Sequence, residues 1–182
     1  MLAVKTLISE AEYMAVEEED GGPRYELDEG ELVEMPSATF DHNDIRDEIS
    51  FAFRLYLREH KLGHVISETD FRLWTNLIRR PDLMFFLNDT IAGVDRAELP
   101  VPVIPEFVLE VISPSESSAA VERKLRQYER AGVRTICLVY PSLQSAVVCE
   151  NGQRRELDEQ DSLELAYLPG FAVPLAPLFS KP

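Results

Sequence analysis

A mixed α/β domain, a twisted β-sheet with helices packed on it, is the fold this sequence predicts. Short apolar runs, Leu83-Met84-Phe85-Phe86-Leu87 and Phe107-Val-Leu-Glu-Val-Ile112, read as buried strands. Two other stretches, one from His42 to Leu57 and one after Ser115, carry their apolar residues at helical spacing instead. The length of 182 residues and 45% hydrophobic content fit one domain, residues 1–182, with a core of its own.

Residues 5–17 predict a short helix with Leu7, Tyr13 and Met14 as apolar marks and Ser9 as N-cap; Gly21-Gly22-Pro23 ends it. Arg24-Tyr25-Glu26-Leu27 and Glu31 to Met35 flank Asp28-Glu29-Gly30, a turn signal, and so form a β-hairpin. After Pro36-Ser37, the positions His42, Ile45, Ile49, Ala52, Phe53, Tyr56 and Leu57 mark a long amphipathic helix that ends near Gly63. His64–Glu68 and Phe71–Trp74 alternate as strands do, and Leu83–Leu87 is a more buried one. Residues 88–105, with Gly93, Pro100, Pro102 and Pro105, read as a surface loop. The strand Phe107–Ile112 then turns at Ser113-Pro114-Ser115 into a helix capped by Ser115 or Ser117 and stopped at Ala131-Gly132. Thr135–Tyr140 and Ala146–Glu150 form a strand pair, and Leu163–Tyr167 a last strand before Pro169-Gly170.

Composition narrows the function classes. No apolar stretch reaches the ~18 residues of a membrane span and the N-terminus lacks a signal-peptide profile, so a cytoplasmic protein is expected. Cys137 and Cys149 sit in strand-like runs and read as buried free thiols. The net charge of −15 opposes broad binding to nucleic acid, whose affinity rests on counterion release. The acids cluster, however, in Glu17–Asp20 and Glu156–Glu164, whereas Arg72, Arg79, Arg80, Arg123, Lys124, Arg126, Arg130 and Arg134 gather around the apolar strands. A local phosphate site remains compatible with that distribution.

The informative residues are Asp82, Glu110 and Lys124. An acid inside an apolar strand costs several kcal/mol unless it is paired or protonated, so each needs a reason. Strand alternation puts Val108, Glu110 and Ile112 on one face and Phe107, Leu109 and Val111 on the other. The next helix presents Val121, Lys124, Leu125 and Tyr128 together. If that face covers Glu110, Lys124 reaches the carboxylates. Two carboxylates on neighbouring strands plus one lysine make a minimal kit for holding a divalent metal beside a phosphodiester. Taken singly, each has a blander reading: an acid paired with arginine, a lysine extending to solvent along its methylenes.

An ordered set of pieces goes further: Arg24-Tyr-Glu-Leu-Asp-Glu-Gly-Glu-Leu-Val-Glu-Met-Pro36, His42, Phe71-Arg-Leu73, Arg80-Pro-Asp82, Leu109-Glu-Val-Ile-Ser-Pro-Ser115, Glu122-Arg-Lys124, Tyr128-Glu-Arg-Ala-Gly-Val133 and Leu168-Pro-Gly-Phe171 with Pro174-Leu175. From about residue 5 to residue 179, the chain resembles the restriction-endonuclease-like proteins of the Uma type, within the PD-(D/E)xK nuclease superfamily. The resemblance implies a restriction-endonuclease-like core, a mixed sheet flanked by helices and preceded by an N-terminal helix and β-hairpin. It implies metal ligation by Asp82, Glu110 and the Val111 carbonyl. It departs from the superfamily's simplest pattern at Ile112, where a lysine is expected; that lysine is transferred to the following helix, at Lys124. Glu26 and His42 also match the family. His42 should face the sheet as either a satisfied core histidine or a catalytic one, and Glu26 as either a catalytic or a structural acid.

The chemistry so implied is Mg²⁺- or Mn²⁺-dependent hydrolysis of nucleic acid, DNA in the first place. Lys124 would act on the attacking water or the phosphate, while Arg80 and Arg72 clamp neighbouring phosphates. Lys124→Ala should remove activity and leave folding nearly intact. A homodimer is expected, with Tyr56, Trp74, the 88–105 loop and Leu175–Phe179 supplying its apolar surface. The acidic surface supports a competing reading: a non-catalytic homodimeric binding or regulatory module on the same fold.

Overall fold

A computed structural model describes residues 7–16 and 23–180. The chain begins with α1 (Glu10–Met14), β1 (Tyr25–Asp28), β2 (Glu31–Glu34), α2 (Phe40–His60) and β3 (Gly63–Ser67). There follow β4 (Phe71–Trp74), β5 (Leu77–Arg79), β6 (Leu83–Leu87), β7 (Phe107–Val111) and α3 (Ser118–Ala131). The last third holds β8 (Thr135–Tyr140), β9 (Ser145–Glu150), β10 (Gln153–Leu157), β11 (Ser162–Glu164), β12 (Ala172–Pro174) and α4 (Ala176–Phe179).

The main sheet has six strands in the order β10-β9-β8-β7-β6-β3. All its pairings are antiparallel except β7 with β8, the pair that α3 connects. Helices cover both faces, as a mixed sheet buried on two sides requires. Phe107, Leu109 and Val111 face α2 through Ile45, Ile49 and Phe53. Val108 faces α3 through Val121, Leu125 and Tyr128. Glu110 shares this α3 face, as the strand alternation predicts.

The hairpin β1-β2 does not stand alone. It joins β5 and β4 in a second sheet of four strands, ordered β2-β1-β5-β4. Its turn places Glu29 and Gly30 at φ 53° and 88°, the left-handed region that a tight two-residue hairpin needs. Ser9 caps α1 in a reciprocal capping box with Glu12. That helix is shorter than its sequence pattern suggested, and residues 5–6, 17–20 and the Gly21-Gly22 break lie outside the described residues. The acid cluster Glu17–Asp20 lies there too.

α2 ends at Lys61, which adopts the left-handed C-cap conformation at φ 49°, and not at Gly63. Gly63 instead opens β3, where a Cβ would lie 2.0 Å from the Phe86 carbonyl. Ser117 caps α3 and Gly132 closes it at φ 92°. Three strands escape the sequence patterns: β5 and β12 are three residues long, and β10 is exposed and charged over Gln153–Glu156. The strand expected over Leu163–Tyr167 is the shorter β11, paired with β12. Residues 88–105 are turns and loop, and both cysteines are buried and free. Among the described residues no helix is long and apolar enough to cross a membrane.

Candidate active site

The register of β6 on β7 sets Leu83 against Leu109, so Asp82, just ahead of β6, falls beside Glu110. Both carboxylates are buried. Asp82 accepts from the Val111 amide at 2.6 Å through Oδ2 and lies 2.8 Å from His42 Nε2 through Oδ1. A carboxylate has about four acceptor positions, so these bonds orient Asp82 without exhausting it. Burial works against a charged His42 ring, but the bond to Asp82 and its negative charge outweigh that and raise the ring's pKa.

Across from Asp82, α3 brings Lys124 over the sheet. Its Nζ lies 3.3 Å from Glu110 Oε1 and 3.4 Å from Glu26 Oε1. Tyr128, one turn further along α3, donates its hydroxyl to Glu110. Glu26 comes from β1, in the second sheet, and is fixed twice more: Arg79 Nη1 lies 2.8 Å from Oε2 and the Arg80 amide donates to Oε1 at 2.9 Å. Arg79 is itself buried between Glu26, Asp28 and Gln127. A layer of paired charges thus ties the small sheet to α3 directly behind the site.

The carboxylates differ in state. Glu26 is held ionised, because Lys124 and Arg79 overcome its burial. Burial pushes Glu110 up to about 7, and the negative charges of Asp82 and Glu26 add to this against the pull of Lys124. Lys124 is partly buried, which works against its charge, yet Glu110 and Glu26 keep its pKa raised.

Asp82, Glu110, Lys124 and His42 line a cleft of about 630 Å³. Its walls carry Arg24, Arg46 and Lys124 as cations against Glu34, Glu68, Asp82, Glu110 and Glu116 as carboxylates. A phosphate entering this cleft meets several carboxylates beside its cations, a setting that a bound cation would make more favourable. The donors nearest the floor are carboxylate and main-chain oxygens, the set preferred by hard divalent cations. Among the described residues no three His, Cys, Asp or Glu side chains converge into a metal-ligating group. An ion at Asp82 and Glu110 would therefore complete its shell with the Val111 carbonyl, water and a substrate phosphate, as Mg²⁺ is usually held. The residues fit such an ion.

Asp82, Glu110, Val111, Lys124 and His42 meet at the cleft, with Glu26 directly behind it. Arg72 and Arg80 do not line it. Arg72, on β4, pairs with Glu10 at 3.0 Å, and Arg80 pairs with Asp70 at 2.7 Å. Arg72 thus reaches α1 through Glu10, and Arg80 reaches Asp70, which accepts from the Tyr13 hydroxyl of α1. The cations at the cleft wall are Arg24 and Arg46, both bound to Glu68 at 3.0 and 2.7 Å. Neither has a local signal; one precedes a hairpin strand and the other sits on the partly buried side of α2. Tyr128 and Arg79 were also missed as site residues, although Tyr128 stands four residues after Lys124 and Arg79 adjoins Arg80-Pro81-Asp82. Ser113 forms a turn with Ser115 (Oγ to Oγ 2.8 Å) while Ser117 caps the helix.

A family model described as "Uma2: Putative restriction endonuclease" matches residues 10–176. No curated protein matches the chain. Among solved structures, the chain is similar to "a putative nuclease belonging to DUF820 from Anabaena variabilis ATCC 29413", at 18% identity and a TM-score of 0.78 over 94% of this chain and 97% of that one. At that identity the likeness establishes the fold.

Proposed function

The chain belongs to the Uma2 family, and on that footing we propose that it hydrolyses phosphodiester bonds of nucleic acid, DNA in the first place, with Mg²⁺ or Mn²⁺. The observation that carries this reading is the pairing of partly buried Lys124 with buried Glu110, beside buried Asp82 at the floor of an open cleft. A scaffold without chemistry has no physical need for two unlike carboxylates and an ammonium facing solvent access from a core.

Asp82, Glu110 and the Val111 carbonyl would hold the ion. When bound there, a divalent cation lowers the pKa of a coordinated water and neutralises charge on the phosphate. Lys124, held from both sides by Glu26 and Glu110, presents a fixed donor to the oxygens on which negative charge grows, or to the attacking water. His42 orients Asp82 and Tyr128 orients Glu110. Arg24 and Arg46 are the guanidiniums placed to meet flanking phosphates, exchanging Glu68 for them.

The net charge of −15 favours the second reading, a non-catalytic binding module. Incubation of supercoiled plasmid, single-stranded DNA and RNA with the protein in Mn²⁺ or Mg²⁺ at low salt separates the two. Cleavage absent from an Asp82→Ala control supports hydrolysis. If wild type cuts none of the three above that control, the binding module takes its place.

A further inference from the structure

The apolar surface expected of Tyr56, Trp74 and the C-terminal segment is covered from within the chain. Tyr56 donates to the Pro169 carbonyl and packs on Phe171, Arg130 lies over Trp74, and Leu175 and Phe179 belong to the core. In the 88–105 loop Leu99 is exposed, at 53%, but the larger exposed apolar surface is elsewhere. On the outer side of α2, Phe51 is 58% exposed and Leu55 51%, with Leu62 at 36% just beyond the helix. At about 3.6 residues per turn, Phe51 and Leu55 point away from Ile49 and Phe53, the residues that bury α2 on the sheet.

Asp44, Glu48, Phe51, Leu55, Arg58 and Leu62 follow one another by alternating steps of four and three residues, the spacing of a coiled-coil seam. All are exposed. The seam is also polarised: Asp44 and Glu48 occupy its first half and Arg58 its second, flanked by Asp47 on the first side and by Arg54, Glu59 and Lys61 on the second. Among the described residues neither Glu48 nor Arg58 is engaged in an ion pair, while the neighbouring Arg46 and Asp47 are. A parallel partner of the same kind would set like charges together. An antiparallel one would set opposite charges together.

We propose that this face receives a second copy of the chain, with the two α2 helices antiparallel about a two-fold axis beside residue 53. Phe51 of each copy then packs on Leu55 of the other, and Glu48 of each faces Arg58 of the other, twice by symmetry. The cleft stays open, because His42 lies on the opposite side of α2. The seam offers Phe51, Leu55 and Leu62 as its apolar contacts, so association should be reversible and depend on concentration.

Sedimentation equilibrium from about 1 µM to about 1 mM tests this, since that range spans weak to moderate affinities. The expected result is a monomer–dimer equilibrium for wild type and a monomer throughout for Phe51→Gln with Leu55→Gln. Glu48→Arg alone and Arg58→Glu alone should each weaken association by about tenfold or more, and the two together should restore it. Far-UV circular dichroism of all variants, measured at about 1 µM where the protein is monomeric, should match wild type, because these side chains lie on the exposed side of α2. A wild-type monomer across the range overturns the proposal. So does a dimer that survives Phe51→Gln with Leu55→Gln, or a charge-swapped double variant no better than the single ones.

Discussion

Replacing Lys124 with methionine keeps most of the side chain's volume and removes one charge from the interior. Its Nζ lies 3.3 Å from one carboxylate and 3.4 Å from another, and the side chain is 15% exposed. At an effective dielectric of about 20, each contact corresponds to about 5 kcal/mol of Coulomb energy. Desolvation of the ammonium offsets much of this, and breaking a buried pair typically costs about 3–5 kcal/mol. Arg79, 2.8 Å from Glu26, keeps that carboxylate partnered. The expected loss is therefore at the lower end, about 3 kcal/mol, or a fall of about 6–12 °C in melting temperature for a chain of this size. Urea denaturation at neutral pH of wild type, Lys124→Met, Glu26→Gln and the double variant measures it. Lys124 and Glu26 should couple by more than about 1 kcal/mol. A Lys124→Met variant within about 0.5 kcal/mol of wild type, or additivity of the two changes to that precision, would refute the reasoning.

Tyr128→Phe removes the hydroxyl that Glu110 receives and should cost about 1–3 kcal/mol of stability, read in the same denaturation experiment; no change would mean that water replaces the hydroxyl. Gly63→Ala forces a Cβ to within 2.0 Å of the Phe86 carbonyl, so β3 must separate from β6 and the loss should exceed about 2 kcal/mol; a wild-type melting temperature would contradict that contact. Asp28 has a lowered pKa, since the charge of Arg79 and the Gln127 bond overcome burial. A depressed carboxylate contributes stability above its unfolded pKa and loses it as pH falls through the folded one, so wild type should lose more stability than Asp28→Asn between pH about 5 and about 2. Parallel acid-denaturation curves would remove Asp28 from the account. In a thermal-shift titration Mn²⁺ should raise the melting temperature of wild type and not of Asp82→Ala, because only a folded state that binds an ion is stabilised by it; an equal rise in both would point to bystander carboxylates.

Where a residue's role follows from its own strand or helix, the sequence made it legible. Glu110 and Lys124 were placed correctly because period-two alternation and helical spacing fix which faces meet. The hairpin was legible from Asp28-Glu29-Gly30, and the cap of α3 from its serines. The second sheet was not, because β5 is too short to show a period and its pairing to β1 is long-range. The same distance hid the layer of Arg79, Glu26, Asp28 and Gln127, and with it the contact of Lys124 with Glu26. Read locally, Lys124 looks removable at little cost to folding; its place between Glu110 and Glu26 is what makes a larger cost the expectation. Arg72 and Arg80 failed as cleft residues for a related reason: their partners, Glu10 and Asp70, come from elements whose placement no local pattern reveals.

A crystal grown with Mn²⁺ and measured at the manganese absorption edge addresses the proposed site most directly. The account predicts one anomalous peak per chain within about 2.0–2.6 Å of an Asp82 oxygen, a Glu110 oxygen and the Val111 carbonyl, with Lys124 still beside Glu110. Glu110→Gln should abolish the peak. Wild-type crystals with no manganese at this position, or with Asp82 and Glu110 more than about 6 Å apart and so unable to share an ion, would contradict it.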